Sequence, residues 1–98
     1  GVGVKKIDNA PKQYTLEQNY PNPFNPSTNI TYSIIEPCFV TLIIYDIYGR
    51  EVETLVKEQQ NSGKYLVNWQ PKNLPSGVYY YQLKTSNYTE VRKMLYLR

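Results

Sequence analysis

The sequence predicts an all-β fold, an antiparallel sandwich of about seven short strands, on three observations. Tyr, Val, Ile and Thr recur in short runs whose apolar residues alternate, the period of a strand with one buried face. Tyrosine dominates the aromatics, with 11 Tyr against 2 Phe and 1 Trp, and Tyr suits a half-buried pleated surface. Seven Pro and five Gly separate the runs and leave almost no place for a long helix.

In chain order, residues 1–13 read as a linker: glycines, charges, then Asn9-Ala10-Pro11. Residues 14–20 start the ordered domain as an edge strand. Prolines end that strand at Tyr20-Pro21-Asn22-Pro23-Phe24-Asn25-Pro26. Proline lacks an N–H and holds its predecessor extended, so this segment is a kinked lead-in, neither helix nor central strand. Residues 28–34 alternate cleanly, with Ile30, Tyr32 and Ile34 on one face.

Residues 38–45 form the most apolar run. Val40, Leu42 and Ile44 point one way, and Phe39, Thr41, Ile43 and Tyr45 the other, which places the strand centrally with its second face partly covered. Cys38, the only cysteine, reads as a small buried hydrophobe. Asp46-Ile47-Tyr48-Gly49 makes a tight turn: Asp bonds the backbone two residues on, and Gly takes a positive φ without steric cost. Residues 50–56 return as a strand, although Val52, Leu55 and Val56 also fit helical spacing with Gly63 as its stop. Residues 57–63 read as a polar loop.

Residues 64–70 alternate again around Tyr65, Val67 and Trp69. Trp69 is the largest core candidate, and truncating a buried tryptophan costs about 3–5 kcal/mol. Residues 71–77 are a second loop leaving through Pro75-Ser76-Gly77. Residues 78–85 place Tyr79, Tyr81 and Leu83 inward and Tyr80 outward, so the tyrosine run is not a flat sugar-stacking platform. After a turn at Ser86-Asn87, residues 88–97 form the last strand. Strands at this spacing read as an immunoglobulin-like sandwich, and 98 residues leave room for one core only.

Composition narrows the function. The net charge of +3 is spread along the chain, without the basic face that nucleic-acid binding needs. No run is long enough to span a membrane, so membrane insertion is not expected. Without histidine, a Ser–His–Asp triad, a Cys–His pair and a histidine metal site are all excluded. The acids, Asp8, Glu17, Glu36, Asp46, Glu51, Glu53, Glu58 and Glu90, fall in the linker, turns and outward positions, and no motif joins them as a catalytic pair. Asn22 and Asn25 lack the neighbouring carboxylates of a calcium site. No enzyme, cofactor or metal is expected.

Read together, the motifs carry a resemblance. They are Leu16-x-Gln18-Asn19-Tyr20-Pro21-Asn22-Pro23-Phe24-Asn25-Pro26-x-Thr28, then Tyr45-Asp46-x-x-Gly49-Arg50-x-Val52, Val67-x-Trp69, Ser76-Gly77-Val78-Tyr79-x-Tyr81, and the tail Lys93-Met94-Leu95-x-Leu97-Arg98. Across residues 14–98 the chain resembles the C-terminal sorting domains of type IX secretion cargo, and also the immunoglobulin-like domain of flagellar hook-capping proteins. Gln70-Pro71-Lys72-Asn73-Leu74 replaces the Asp-Gly-rich turn frequent in relatives, which bears on loop shape only.

The resemblance implies a non-catalytic address label. A cargo domain would precede Gly1. The partners would be translocon and sortase components. The path would run through the periplasm to the cell surface or medium, with Arg98 the natural end and cleavage falling in or just before the linker of residues 1–13, where backbone is exposed. It implies candidate recognition residues at the two turns and the tail: Asp46, Gly49, Arg50, Gly77, Tyr79, Lys93, Leu95, Leu97 and Arg98. The last strand would offer unpaired backbone groups to which a translocon component adds a strand. Weak homodimerisation stays open. A structural spacer or a carbohydrate-binding accessory module of a secreted hydrolase is the alternative.

Overall fold

The computed structural model describes residues 2–8 and 10–98. Eight strands are described: β1 (Val2–Asp8), β2 (Thr15–Leu16), β3 (Thr28–Ile34), β4 (Cys38–Tyr45), β5 (Glu51–Gln60), β6 (Gly63–Trp69), β7 (Gly77–Lys84) and β8 (Thr89–Tyr96). They form two four-stranded sheets with orders β1-β6-β3-β2 and β5-β4-β7-β8. All strand pairs are antiparallel. The architecture is the expected all-β sandwich.

The alternation read from the sequence sets the core. Ile30, Tyr32 and Ile34 from β3 meet Val40, Leu42 and Ile44 from β4, and all are fully buried. Tyr65, Val67 and Trp69 of β6 and Tyr79, Tyr81 and Leu83 of β7 complete the layer, closed at one end by Phe24, Met94 and Tyr96. Cys38 is buried as a hydrophobe. The Trp69 indole N–H donates to Glu53 Oε1 at 3.0 Å, so its one polar atom is satisfied.

Two expectations need correction. Residues 2–8 are not linker: β1 pairs with β6 from Val2 opposite Trp69 to Asp8 opposite Lys64. Residues 3–8 are all exposed. The strand therefore exists through its backbone ladder and leaves no burial pattern in the sequence. The strand count rises from seven to eight for this reason.

The polar loop at 57–63 is also mostly strand, because β5 runs on to Gln60 opposite Cys38. Its polar residues lie on a sheet edge, where solvated side chains cost nothing. Buried Gln60 accepts the Tyr32 hydroxyl proton at 2.7 Å. Residues 51–56 are strand as expected, and the helical spacing of Val52, Leu55 and Val56 has a local cause. The register with β4 jumps from Val56 to Thr54, and this bulge turns both Leu55 and Val56 inward.

Candidate functional site

The turn joining β4 to β5 is built by one carboxylate. Asp46 Oδ1 accepts the backbone N–H of Tyr48 at 2.9 Å and of Arg50 at 3.0 Å. Arg50 Nε donates to Oδ2 at 2.8 Å. Gly49 donates its N–H to the Asp46 carbonyl at 3.0 Å, and its φ of 78° is why glycine stands there. Partial desolvation pushes the Asp46 carboxyl up. The two N–H donors and the Arg50 guanidinium outweigh it and hold the group below its ordinary value. Arg50 stays 72 % exposed, its guanidinium 5.0 Å from the centroid of the Tyr48 ring.

The loop between β6 and β7 packs against this turn. Asp46, Tyr48, Arg50, Leu74, Ser76 and Tyr79 are among the residues lining a cleft of about 300 Å³. The Tyr79 hydroxyl donates to the Pro75 carbonyl at 2.7 Å and fixes the loop to the core. Burial pushes the Tyr79 phenol up, with the Asp46 charge adding to it. The tail reaches the same end of the sheet: Tyr96 lies opposite Gly77, and Arg98 N–H donates to Ser76 Oγ at 2.7 Å.

The recognition residues named from the sequence therefore divide into groups. Asp46, Arg50, Gly77 and Tyr79 line the one cleft. Gly49 faces an adjoining hollow with Tyr45, Tyr80 and Val91. Lys93 sits opposite Tyr80 on the outer face of the second sheet, and the Leu97 side chain is exposed. Tyr48 and Ser76, within the two turns but not among the residues singled out from the sequence, also line the cleft. Their only trace in the sequence is position, Tyr48 beside the turn glycine and Ser76 before Gly77.

The free edge expected of the last strand is taken up at its C-terminal end, from Lys93 to Leu97. β8 is an edge strand, but the proline-rich lead-in covers it. Phe24 donates its N–H to the Leu95 carbonyl at 3.0 Å and accepts the Leu97 N–H at 3.0 Å. Asn22 Oδ1 takes the Leu95 N–H at 2.9 Å, and Gln18 Nε2 donates to the Lys93 carbonyl at 2.8 Å. Proline supplies no donors and cannot extend a ladder, so the lead-in stitches the edge at isolated points.

The lead-in is itself anchored. The Tyr81 hydroxyl donates to the Glu17 carbonyl at 2.7 Å and accepts the Asn19 N–H at 2.8 Å. Buried Asn19 Nδ2 donates to Thr28 Oγ1 at 3.0 Å. The peptide bonds before Pro21, Pro23 and Pro26 are cis. With the Lys93 carbonyl, both Leu95 groups and the Leu97 N–H taken up, this stretch of β8 offers no continuous row of bare backbone for strand addition.

No curated protein and no solved structure matches the chain significantly. One family does. The sequence model described as a secretion system C-terminal sorting domain matches residues 18–96. That span runs from the proline-rich lead-in to the end of β8 and takes in both turns of the cleft. The chain belongs to the family of C-terminal sorting domains of the type IX secretion system, non-catalytic signals that direct a parent protein to export.

Proposed function

We propose that export is read from the end of the second sheet where the Asp46–Arg50 turn, the Ser76–Tyr79 turn and the Leu97–Arg98 tail converge. One observation supports this reading above others. Three segments distant in sequence line or adjoin a single cleft carrying an accessible guanidinium, and Arg98 is tied to it through Ser76. The reader is a component of the outer-membrane translocon that meets the folded domain in the periplasm. A surface sortase then removes the domain near its N-terminal end, and the parent is anchored or released.

The test is charge reversal in the native parent, Arg50→Glu alone and Lys93→Glu with Arg98→Glu. Both are surface changes that leave the core intact, checked by the melting profile of the domain. Retention of folded parent in the periplasm is the expected result. Normal export of both variants would overturn the proposal and favour the structural-spacer reading.

A further inference from the structure

The first sheet ends in a strand with an unusual attachment. β1 pairs with β6 along its length, yet residues 3–8 are exposed, including Val4 and Ile7. It thus contributes little to the core. Among its described side chains its hold on the domain is a backbone ladder and one shaped contact, and opening costs least where buried apolar contacts are fewest.

The shaped contact is at the start of β6. Gly63 is buried where β1 and β3 both flank β6. A Cβ placed on Gly63 would lie 2.9 Å from the Asp8 carbonyl oxygen and closer still to Lys6 Cε. Glycine therefore leaves a notch that the Lys6 stem fills, and Lys6 Nζ comes 5.9 Å from the Tyr65 ring centroid. Val4 lies opposite Val67 and Asp8 opposite Lys64, with a register shift between Lys6 and Asp8. The β6 edge thus has both features of strand-addition sites: main-chain pairing for affinity and a side-chain notch for specificity.

We propose that the β6 edge is a peptide-acceptor site and that Val2–Asp8 is its exchangeable occupant. The ligand class is an extended segment with lysine at the Gly63 notch and an acidic residue two positions later, opposite Lys64. Ala10, Lys12 and Gln13 are exposed between β1 and β2. After a cut there, β1 and whatever precedes it stay docked without a covalent bond and leave only by exchange. This holds whichever surface the export machinery reads, and it places a second binding site on the opposite sheet.

The experiment inserts a sequence-specific protease site between Lys12 and Gln13 of the full chain. After cutting, native size exclusion is compared with a denaturing gel, and Trp69 fluorescence reports the fold of the body. The N-terminal fragment should co-elute with the folded body. An excess of synthetic peptide of residues 1–12 should displace it within hours. Lys6→Glu or Gly63→Val should speed release at least tenfold with the fluorescence unchanged.

Immediate loss of the fragment from a folded body would overturn the proposal, as would no exchange over a day. Should cutting unfold the body, hydrogen exchange on the uncut chain decides. Backbone amides of β1 exchanging at least a hundredfold faster than those of β3 support an exchangeable strand. Equal protection refutes it.

Discussion

Phe24 is the hinge of the proline-rich lead-in, and its removal is the sharpest test of how that segment works. The ring is 2 % exposed. It stacks on Tyr96 with centroids 5.1 Å apart and tilts against Trp69 at 5.8 Å. Phe→Ala at a buried site costs about 3–5 kcal/mol. A domain of this size has roughly 5–15 kcal/mol in all. At a urea m-value of about 1.5 kcal/mol per molar, the midpoint of Phe24→Ala should fall by about 2–3 M with the slope unchanged.

The assay is equilibrium urea unfolding followed by the fluorescence of Trp69, the only tryptophan. Alanine keeps the backbone N–H and C=O that bind Leu95 and Leu97, so the loss isolates the ring. Phe24→Leu should recover most of it, leaving the aromatic contribution of about 0.5–1.5 kcal/mol. Asn22→Ala, which deprives Leu95 N–H of an exposed bond, should cost about 1 kcal/mol or less because water replaces the acceptor. Tyr20→Ser, at a side chain 78 % exposed, should stay within about 0.5 kcal/mol. A Phe24→Ala loss below about 1 kcal/mol, or one matched by Asn22→Ala, would refute the view that the lead-in is held by its buried ring.

Three further outcomes follow from the polar groups. Burial raises the Tyr81 phenol, despite the Asn19 N–H, to about 12, and raises the Tyr88 phenol, helped by Glu90, to about 12. A phenol raised in the folded state stabilises below the unfolded value of about 10. That stability is lost as pH climbs toward 12, so urea midpoints should fall steeply between pH 10 and 12 and less steeply in Tyr81→Phe. Tyr81→Phe at neutral pH should itself cost about 1–3 kcal/mol, since the Asn19 N–H and Glu17 carbonyl lose a buried partner, as chemical denaturation would show. Asp46 has a lowered value in the folded state, so its contribution is present above the unfolded value of about 3.9 and lost as pH falls below it. Asp46→Asn should flatten the acid limb of the stability profile and leave the alkaline limb alone.

What the sequence discloses follows burial. β3, β4, β6 and β7 each bury alternate side chains, so Ile30, Val40, Val67 and Tyr81 announce their strands and faces. β1 buries no described side chain, and nothing in Val4 to Asp8 separates it from a linker. The far half of β5 is polar because it is an edge, and its bulge at Leu55 mimics a helical period. The Asp46 turn is legible because its chemistry is local: a carboxylate, a glycine and an arginine within five residues. The cleft is not legible, since Ser76 and Tyr48 meet only once β4 and β7 are paired. Phe24 reads as part of an extended segment, and its reach to Leu95 is a tertiary fact.

The covered edge bears directly on how such a label is read. Backbone recognition needs a bare strand, and Phe24, Asn22 and Gln18 bind the Lys93 carbonyl, both Leu95 backbone groups and the Leu97 N–H of β8. A reader of this end must therefore use side chains and turns, chiefly Arg50, Tyr48 and the surface around Ser76. Those groups share a cleft only after both turns are set on one sheet. On the reading proposed above, the signal is a property of the folded domain, and an unfolded copy would carry the same residues without the address. A scrambled-core variant such as Trp69→Asp, keeping every cleft residue, should consequently lose export as completely as Arg50→Glu, with the parent found in the periplasm by fractionation. Efficient export of that unfolded variant would show that a linear segment is read, and the convergence at Ser76 would then be incidental.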